Sequence, residues 1–195
     1  MIPRQLMIAV AVMLAIAIGM SVYVWRTRGR VAPTEPAAYT HPVAPPVEGP
    51  TEEVTLYAAH DDSGVLRAQA ARIPLPSGRQ ERAEELLRAL LRLYLGPSSS
   101  HPLPAVAEVH DVYLVDPGLA VIDVNSAFAD GHRSGVLVEE LTIASLARTL
   151  SANIPGINRI RILVDGKSRD TLAGHADISG FYDVSAVDQL AAELQ

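Results

Sequence analysis

Three histidines stand near carboxylates along this chain, at His60-Asp61-Asp62, His110-Asp111 and His175-Ala176-Asp177. Such neighbours are the raw material of general acid–base catalysis or of a metal centre, and Ser134, Ser168 and Ser179 are hydroxyls that a base could activate. Neither chemistry has its frame. No serine lies in a G-x-S-x-G elbow, and the chain has no H-E-x-x-H run. The Asp61-Asp62-Ser63 turn lacks the alternating oxygen ligands and terminal Glu of an EF-hand loop. With no cysteine there is no thiolate zinc site, no disulfide and no diacylglyceryl-cysteine anchor. His175 and Asp177 offer two metal ligands with no third. The pattern predicts no enzyme, no metal and no cofactor, with the histidines acting as surface and turn residues.

A second group, Tyr57, Asp123, Asn125, Asp165 and Lys167, falls near strand ends, where its polar groups could line a concave site for a cell-wall fragment or other small envelope component. The same residues have local readings. Asn125 and Ser126 can cap a turn by accepting from backbone amides, Asp165-Gly166 can turn the chain sharply, and Lys167 can pair with Asp165 or Asp170. Capping and solvated charge are the simpler account, because spacing alone does not bring the five together.

The elements that must position these residues are legible from periodicity. Val54, Leu56 and Ala58 alternate with Thr55 and Tyr57 as a strand does; residues 60–64, HDDSG, supply turn formers, and residues 65–73 can return as the second strand of a hairpin closed by Pro74 and Pro76. Residues 79–95 predict a helix, with Ala83, Leu86, Leu87, Leu90, Leu91 and Tyr94 on one stripe and Gly96-Pro97 as its stop. Residues 109–115 and 119–124 predict a strand pair turning at Asp116-Pro117-Gly118. A second amphipathic helix is expected over residues 134–151, with Leu137, Leu141, Ala144, Leu146, Ala147 and Leu150 facing a sheet, and a strand follows at residues 158–164. Helices in these positions cover one sheet face of a compact α+β domain.

Residues 6–25, LMIAVAVMLAIAIGMSVYVW, are uncharged and apolar. A helix of that length, at about 1.5 Å per residue, matches a hydrocarbon core of about 30 Å, so the expectation is a transmembrane anchor over residues 1–28. The run is longer than the apolar core of a cleaved signal and lacks a small-x-small site after it. Residues 29–52, with Pro33, Pro36, Pro42, Pro45, Pro46 and Pro50, predict an extended linker. The folded domain is expected at 53–183 and a tail or short helix at 184–195. Of sixteen Lys and Arg, four (Arg4, Arg26, Arg28, Arg30) flank the apolar run; the remaining twelve against twenty-two Asp and Glu give the rest of the chain a formal charge of −10. That excludes a nucleic-acid binder, which needs a basic surface. The arginines after the run tilt the positive-inside count toward a cytoplasmic C-terminal domain.

The opening strand Val54-Thr55-Leu56-Tyr57, the helix end at Leu95-Gly96-Pro97, the run Leu119-Ala120-Val121-Ile122-Asp123-Val124-Asn125-Ser126-Ala127-Phe128 and the corner Val164-Asp165-Gly166-Lys167 occur in the order and spacing of the GerMN family of sporulation and spore-germination domains, which this chain resembles. The resemblance spans residues 54–183. It implies a GerMN-like α+β fold with a small sheet and two principal packed helices. It also implies a bacterial, noncatalytic, membrane-anchored envelope domain that interacts with envelope proteins or with itself, and an extracytoplasmic C-terminal domain, which overrules the charge count. The expected location is thus the cytoplasmic membrane, crossed once.

Overall fold

The computed structural model describes residues 49–186. Strand β1 (Thr51–His60) turns through Gly64, in the left-handed region at φ 68°, into β2 (Val65–Pro74), and the two pair antiparallel over ten residues without a bulge. Helix α1 (Arg79–Tyr94) follows, then β3 (Val109–Val115), β4 (Leu119–Val124), the short α2 (Ser126–Asp130), α3 (Val136–Asn153), β5 (Arg159–Val164) and β6 (Tyr182–Asp183). The last four strands form a sheet of order β3-β4-β5-β6, in which β4 and β5 run parallel and the outer pairs antiparallel. The small sheet expected from sequence is therefore two sheets.

Alternation explains which face of each strand is buried. Val112 on β3, Ala120, Ile122 and Val124 on β4, and Ile160, Ile162 and Val164 on β5 point into one core, where α1 contributes Ala83, Leu86, Leu87, Leu90 and Tyr94. Helix α3 is not the one-sided amphipath that its leucines suggested. Leu141, Leu146, Ala147 and Leu150 are buried, and so are Glu139, Thr142, Ser145 and Thr149, all at 0% exposure. It packs against both β1 and α1, so these polar residues face protein instead of water.

Ser145 and Thr149, with Asn153 at the end of the helix, close a strand edge. Asn153 accepts from the Thr55 N–H (3.2 Å) and donates to the Thr55 carbonyl (2.7 Å). Thr149 Oγ1 accepts from the Tyr57 N–H (3.0 Å), and Ser145 Oγ donates to the Tyr57 carbonyl (2.6 Å). Tyr94 of α1 accepts from the Ala59 N–H (2.9 Å), and Ser100 donates to the Ala59 carbonyl (3.0 Å). Positions 145, 149 and 153 recur every four residues and so share one helix face. That face serves β1 as a neighbouring strand would. Gln80 of α1 does the same for the outer edge of β3, donating to the Val112 carbonyl and accepting from the Leu114 N–H.

The turn between β3 and β4 depends on Gly118. At φ 78° it occupies the left-handed region, and a Cβ there would lie 2.4 Å from the Gly156 carbonyl oxygen. Its own carbonyl accepts from the N–H groups of Asn158 and Arg159, tying the turn to the start of β5.

The expected transmembrane helix, and with it the single-pass placement in the cytoplasmic membrane, is corrected. Among the described residues no helix is long and apolar enough to cross a membrane. The longest, α3, has 18 residues but carries Glu139, Glu140 and Arg148. Residues 6–25, on which that expectation rested, lie outside the described residues, as do the proline-rich segment up to residue 48 and residues 187–195. The architecture that stands is an α+β domain with two principal helices; single-pass topology and the placement derived from it lose their support.

Candidate functional site

Four of the five residues singled out at strand ends lie at one corner, because β4 and β5 are parallel neighbours and end side by side at Val124 and Val164. Asp123 is buried, and its Oδ1 accepts from the Gly166 N–H at 2.8 Å. Asn125 caps α2: its Oδ1 accepts from the N–H groups of Phe128 (2.9 Å) and Glu108 (3.1 Å), and its amide donates to the Val106 carbonyl (2.7 Å). Asp165, left-handed at φ 50°, accepts from the Ser126 N–H at 3.3 Å. Lys167 is exposed and pairs with Val164 through its backbone. The fifth residue, Tyr57, is in the other sheet, on β1, with the Arg148 guanidinium 5.2 Å from its ring centroid.

The His–carboxylate neighbours fare differently. His110 and Asp111 are both exposed on β3. Asp177 accepts from Ser179 through both its N–H (2.8 Å) and its hydroxyl (2.7 Å), which holds its carboxyl below the usual range. Asp61 pairs with His101, forty residues away, at 2.5 Å, and with Arg133 at 3.0 Å. His175 meets Glu139 at 2.9 Å and the Ser134 hydroxyl at 3.2 Å. Serine, histidine and carboxylate are thus together, yet both partners reach the same ring nitrogen, Nδ1. A catalytic relay needs the nucleophile and the orienting acid on opposite nitrogens. This constellation cannot pass a proton from serine to acid through the ring.

Glu139 is instead a pin. Its Oε2 accepts from the N–H groups of Ala173 (3.0 Å), His175 (3.0 Å) and Ala176 (2.8 Å), and its Oε1 from the Gly135 N–H (3.2 Å) as well as facing the His175 ring. Burial opposes ionisation, but these donors outweigh it and hold the carboxyl at about 2. The loop after β5 is thereby fastened to the first turn of α3, where an acidic side chain also complements the helix dipole.

A buried chain of polar groups lies between the hairpin and α3. His101 Nδ1 faces Asp61, its Nε2 lies 2.7 Å from Thr142 Oγ1, and Thr142 Oγ1 lies 2.6 Å from His132 Nε2, whose Nδ1 faces the Arg133 carbonyl at 2.7 Å. The carboxylate and the carbonyl both accept, so each neutral ring carries its proton on Nδ1 and presents a lone pair at Nε2. Thr142 has one hydroxyl proton for two such lone pairs. Burial pushes both histidines below their ordinary value, while Asp61 pulls His101 back up and the Arg133 carbonyl does so for His132. Sequence reading missed this chain, since its members are 41 and 10 residues apart along the sequence. No group of three metal-ligating side chains occurs among the described residues.

The fold and this corner define an α+β domain whose polar residues build turns, caps and pins. A family model described as Germane, sporulation and spore germination, matches residues 55–170, more than half of the chain. The chain belongs to that family, whose domains are noncatalytic. Among solved structures it is similar to the tandem GerMN domains of the sporulation protein GerM from Bacillus subtilis, with 20% identity and a TM-score of 0.51 over 69% of this chain and 46% of that one. That likeness is one of fold, and this chain spans less than half of the tandem protein. A candidate lipoprotein from Clostridium perfringens is 24% identical, with a TM-score of 0.48 over 75% of this chain and 96% of that one. The first GerMN domain of GerM alone is 21% identical, with a TM-score of 0.44 over 65% and 92%. No curated protein matches the chain.

Proposed function

We propose that this chain acts as a noncatalytic envelope interaction and assembly domain, holding other proteins instead of transforming a substrate. The observation that carries this is the uncovered face of the four-stranded sheet. Opposite the buried alternation, Tyr113 and Val115 on the edge strand β3 are 49% and 47% exposed, and Phe181, just before β6 at the other edge of the sheet, is 53% exposed. The guanidinium groups of Arg159 and Arg161 lie 5.7 and 5.4 Å from the Phe181 ring centroid. Exposed aromatic side chains together with arginine are the composition of interface anchors. The test is crosslinking of the tagged full chain in its host, followed by purification. Recovery of the same envelope partner in repeated preparations, reduced at least tenfold by Tyr113→Ala with Phe181→Ala, is expected; no reproducible partner, or one indifferent to both substitutions, overturns the reading.

The ligand-binding alternative rests on Asp165 and Lys167, which stay exposed at the β4/β5 corner. It has less support, because Asp123 and Asn125 already accept backbone amides and Tyr57 lies in the other sheet. Titration with soluble muropeptides decides: saturable heat weakened by Asp165→Ala or Lys167→Ala supports it, and no heat at millimolar ligand dismisses it.

A further inference from the structure

Among the described residues, the hairpin leaves one long strand edge without hydrogen-bond partners. The Leu75 N–H donates to the Pro50 carbonyl at 2.9 Å. With the continuous register Thr51↔Pro74 through His60↔Val65, this sets the parity of the whole ladder: Val54, Leu56 and Ala58 exchange hydrogen bonds with Ala71, Gln69 and Arg67. The backbone groups of Thr55, Tyr57 and Ala59 therefore point away from β2, where α3, Tyr94 and Ser100 receive them. By the same parity Leu66, Ala68, Ala70 and Arg72 point their N–H and C=O groups away from β1. Among the described residues no side chain is hydrogen-bonded to those groups. Gln80 meets the Val112 carbonyl and the Leu114 N–H on the seven-residue β3, and β6 is two residues long. Among the described strands, β2 is the long one with an uncapped edge, and unpaired edges of this kind are templates for pairing with another chain.

We propose that two copies of this chain pair β2 against β2 in antiparallel register about a two-fold axis at Gln69, making one four-stranded sheet of two hairpins. The proposal rests on the interaction reading and supplies a partner for it. The argument for a second copy is self-complementarity. Centred on Gln69, the register sets Ala68 against the partner's Ala70, Leu66 against the partner's Arg72, Arg67 against the partner's Ala71 and Val65 against the partner's Ile73. Every residue from Val65 to Ile73 finds an opposite. The two arginines, both exposed, never face each other. At the centre Gln69, uncharged and able both to donate and to accept, meets its own copy and is flanked by Ala68 and Ala70, so no charge is set against a like charge there, and outward groups meet outward groups, giving about eight new backbone hydrogen bonds. A symmetric contact of one patch with itself closes at a dimer and cannot extend into a fibre.

The register makes a sharp chemical prediction, because the chain has no native cysteine. Gln69 faces itself across the axis in a non-hydrogen-bonded pair, where Cα atoms are about 4.5 Å apart. That lies within the span a disulfide bridges. The full chain carrying Gln69→Cys, mildly oxidised, is expected to run as a covalent dimer at least tenfold more abundant than with Arg67→Cys, whose two copies are offset by four residues, about 13 Å. Adding Ala70→Pro to Gln69→Cys removes an outward N–H that β1 does not use, and the dimer should vanish. Equal crosslinking at 67 and 69, no dimer at 69, or a dimer that survives Ala70→Pro in a chain with unchanged circular dichroism overturns the proposal. The two cysteine variants decide the register even if the proline variant folds poorly. A chain that does not self-pair yet still captures its envelope partner through Tyr113 and Phe181 sinks only the self-pairing; loss of both sinks the interaction reading as well.

Discussion

Replacing Glu139 by glutamine tests how a buried carboxylate holds this fold together. The side chain is 0% exposed and receives four backbone N–H groups in addition to the His175 ring. A carboxyl that ordinarily titrates at 4.5 and is held at about 2 contributes, at about 1.36 kcal/mol per pH unit, about 3 kcal/mol to folding at neutral pH. The native state binds its proton less readily than the unfolded chain does. The contribution is therefore complete above pH 4.5 and disappears as pH falls toward 2. Glu139→Gln keeps the shape but cannot ionise, and its amide sets a donor among donors, so a loss of about 3 kcal/mol or more is expected at pH 7. Urea denaturation of both proteins measures it. Between pH 6 and pH 3 the gap should narrow by about 2 kcal/mol as the wild-type carboxyl begins to protonate. Parallel stability curves over that range would refute the assignment, and would mean that the loop at residues 173–176 is held by something other than this charge.

Thr149→Val retains volume but removes the acceptor of the Tyr57 N–H, and a buried orphan amide should cost roughly 1 to 3 kcal/mol in urea, with Thr149→Ser restoring most of it and the Tyr57 amide exchanging faster only in the valine variant. Acidification should destabilise the fold as pH falls through about 6.5, because His101 and His132 are both pushed below that value and the unfolded chain takes up protons there first; a melting temperature unchanged from pH 7.5 to 5.5 contradicts this. Thr142→Val, which deletes the one hydroxyl between the two rings, should lower the urea midpoint, and histidine ring shifts in NMR should move together at His101 and His132. Gly118→Ala combines a left-handed backbone with a 2.4 Å clash against the Gly156 carbonyl and should destabilise by more than about 1 kcal/mol, read from thermal unfolding.

The elements were legible because their period is local. The strands at 109–115 and 119–124 and the helix starting at Arg79 follow directly from alternation and from the leucine stripe. The Asn125 cap was legible for the same reason: its bond to the Phe128 N–H spans three residues. Helix α2 was hidden within a family motif too short to show a helical period, and β6 is formed by two residues whose pairing with Arg159 and Ile160 has no sequence pattern of its own. The buried polar residues of α3 misled for a physical reason. Glu139, Thr142, Ser145 and Thr149 recur at helical spacing, as a solvated face does, and periodicity reports only that they share a side. It does not report whether that side meets water or another strand.

What distinguishes the two cases is the supply of partners: loop amides for Glu139, histidine rings for Thr142, and strand backbone for Ser145 and Thr149. A strand at the edge of a two-stranded sheet leaves N–H and C=O groups that must be met once the edge is buried. Ser145, Thr149 and Asn153 meet them on β1, and Gln80 meets them on β3. A helix that carries hydroxyls and amides every fourth residue beside a hairpin can therefore lie inside a fold without leaving its polar groups unpaired. The same accounting singles out β2, where, among the described residues, no helix side chain meets the outward groups of Ala68 and Ala70, and that is why the proposed self-pairing falls on this edge.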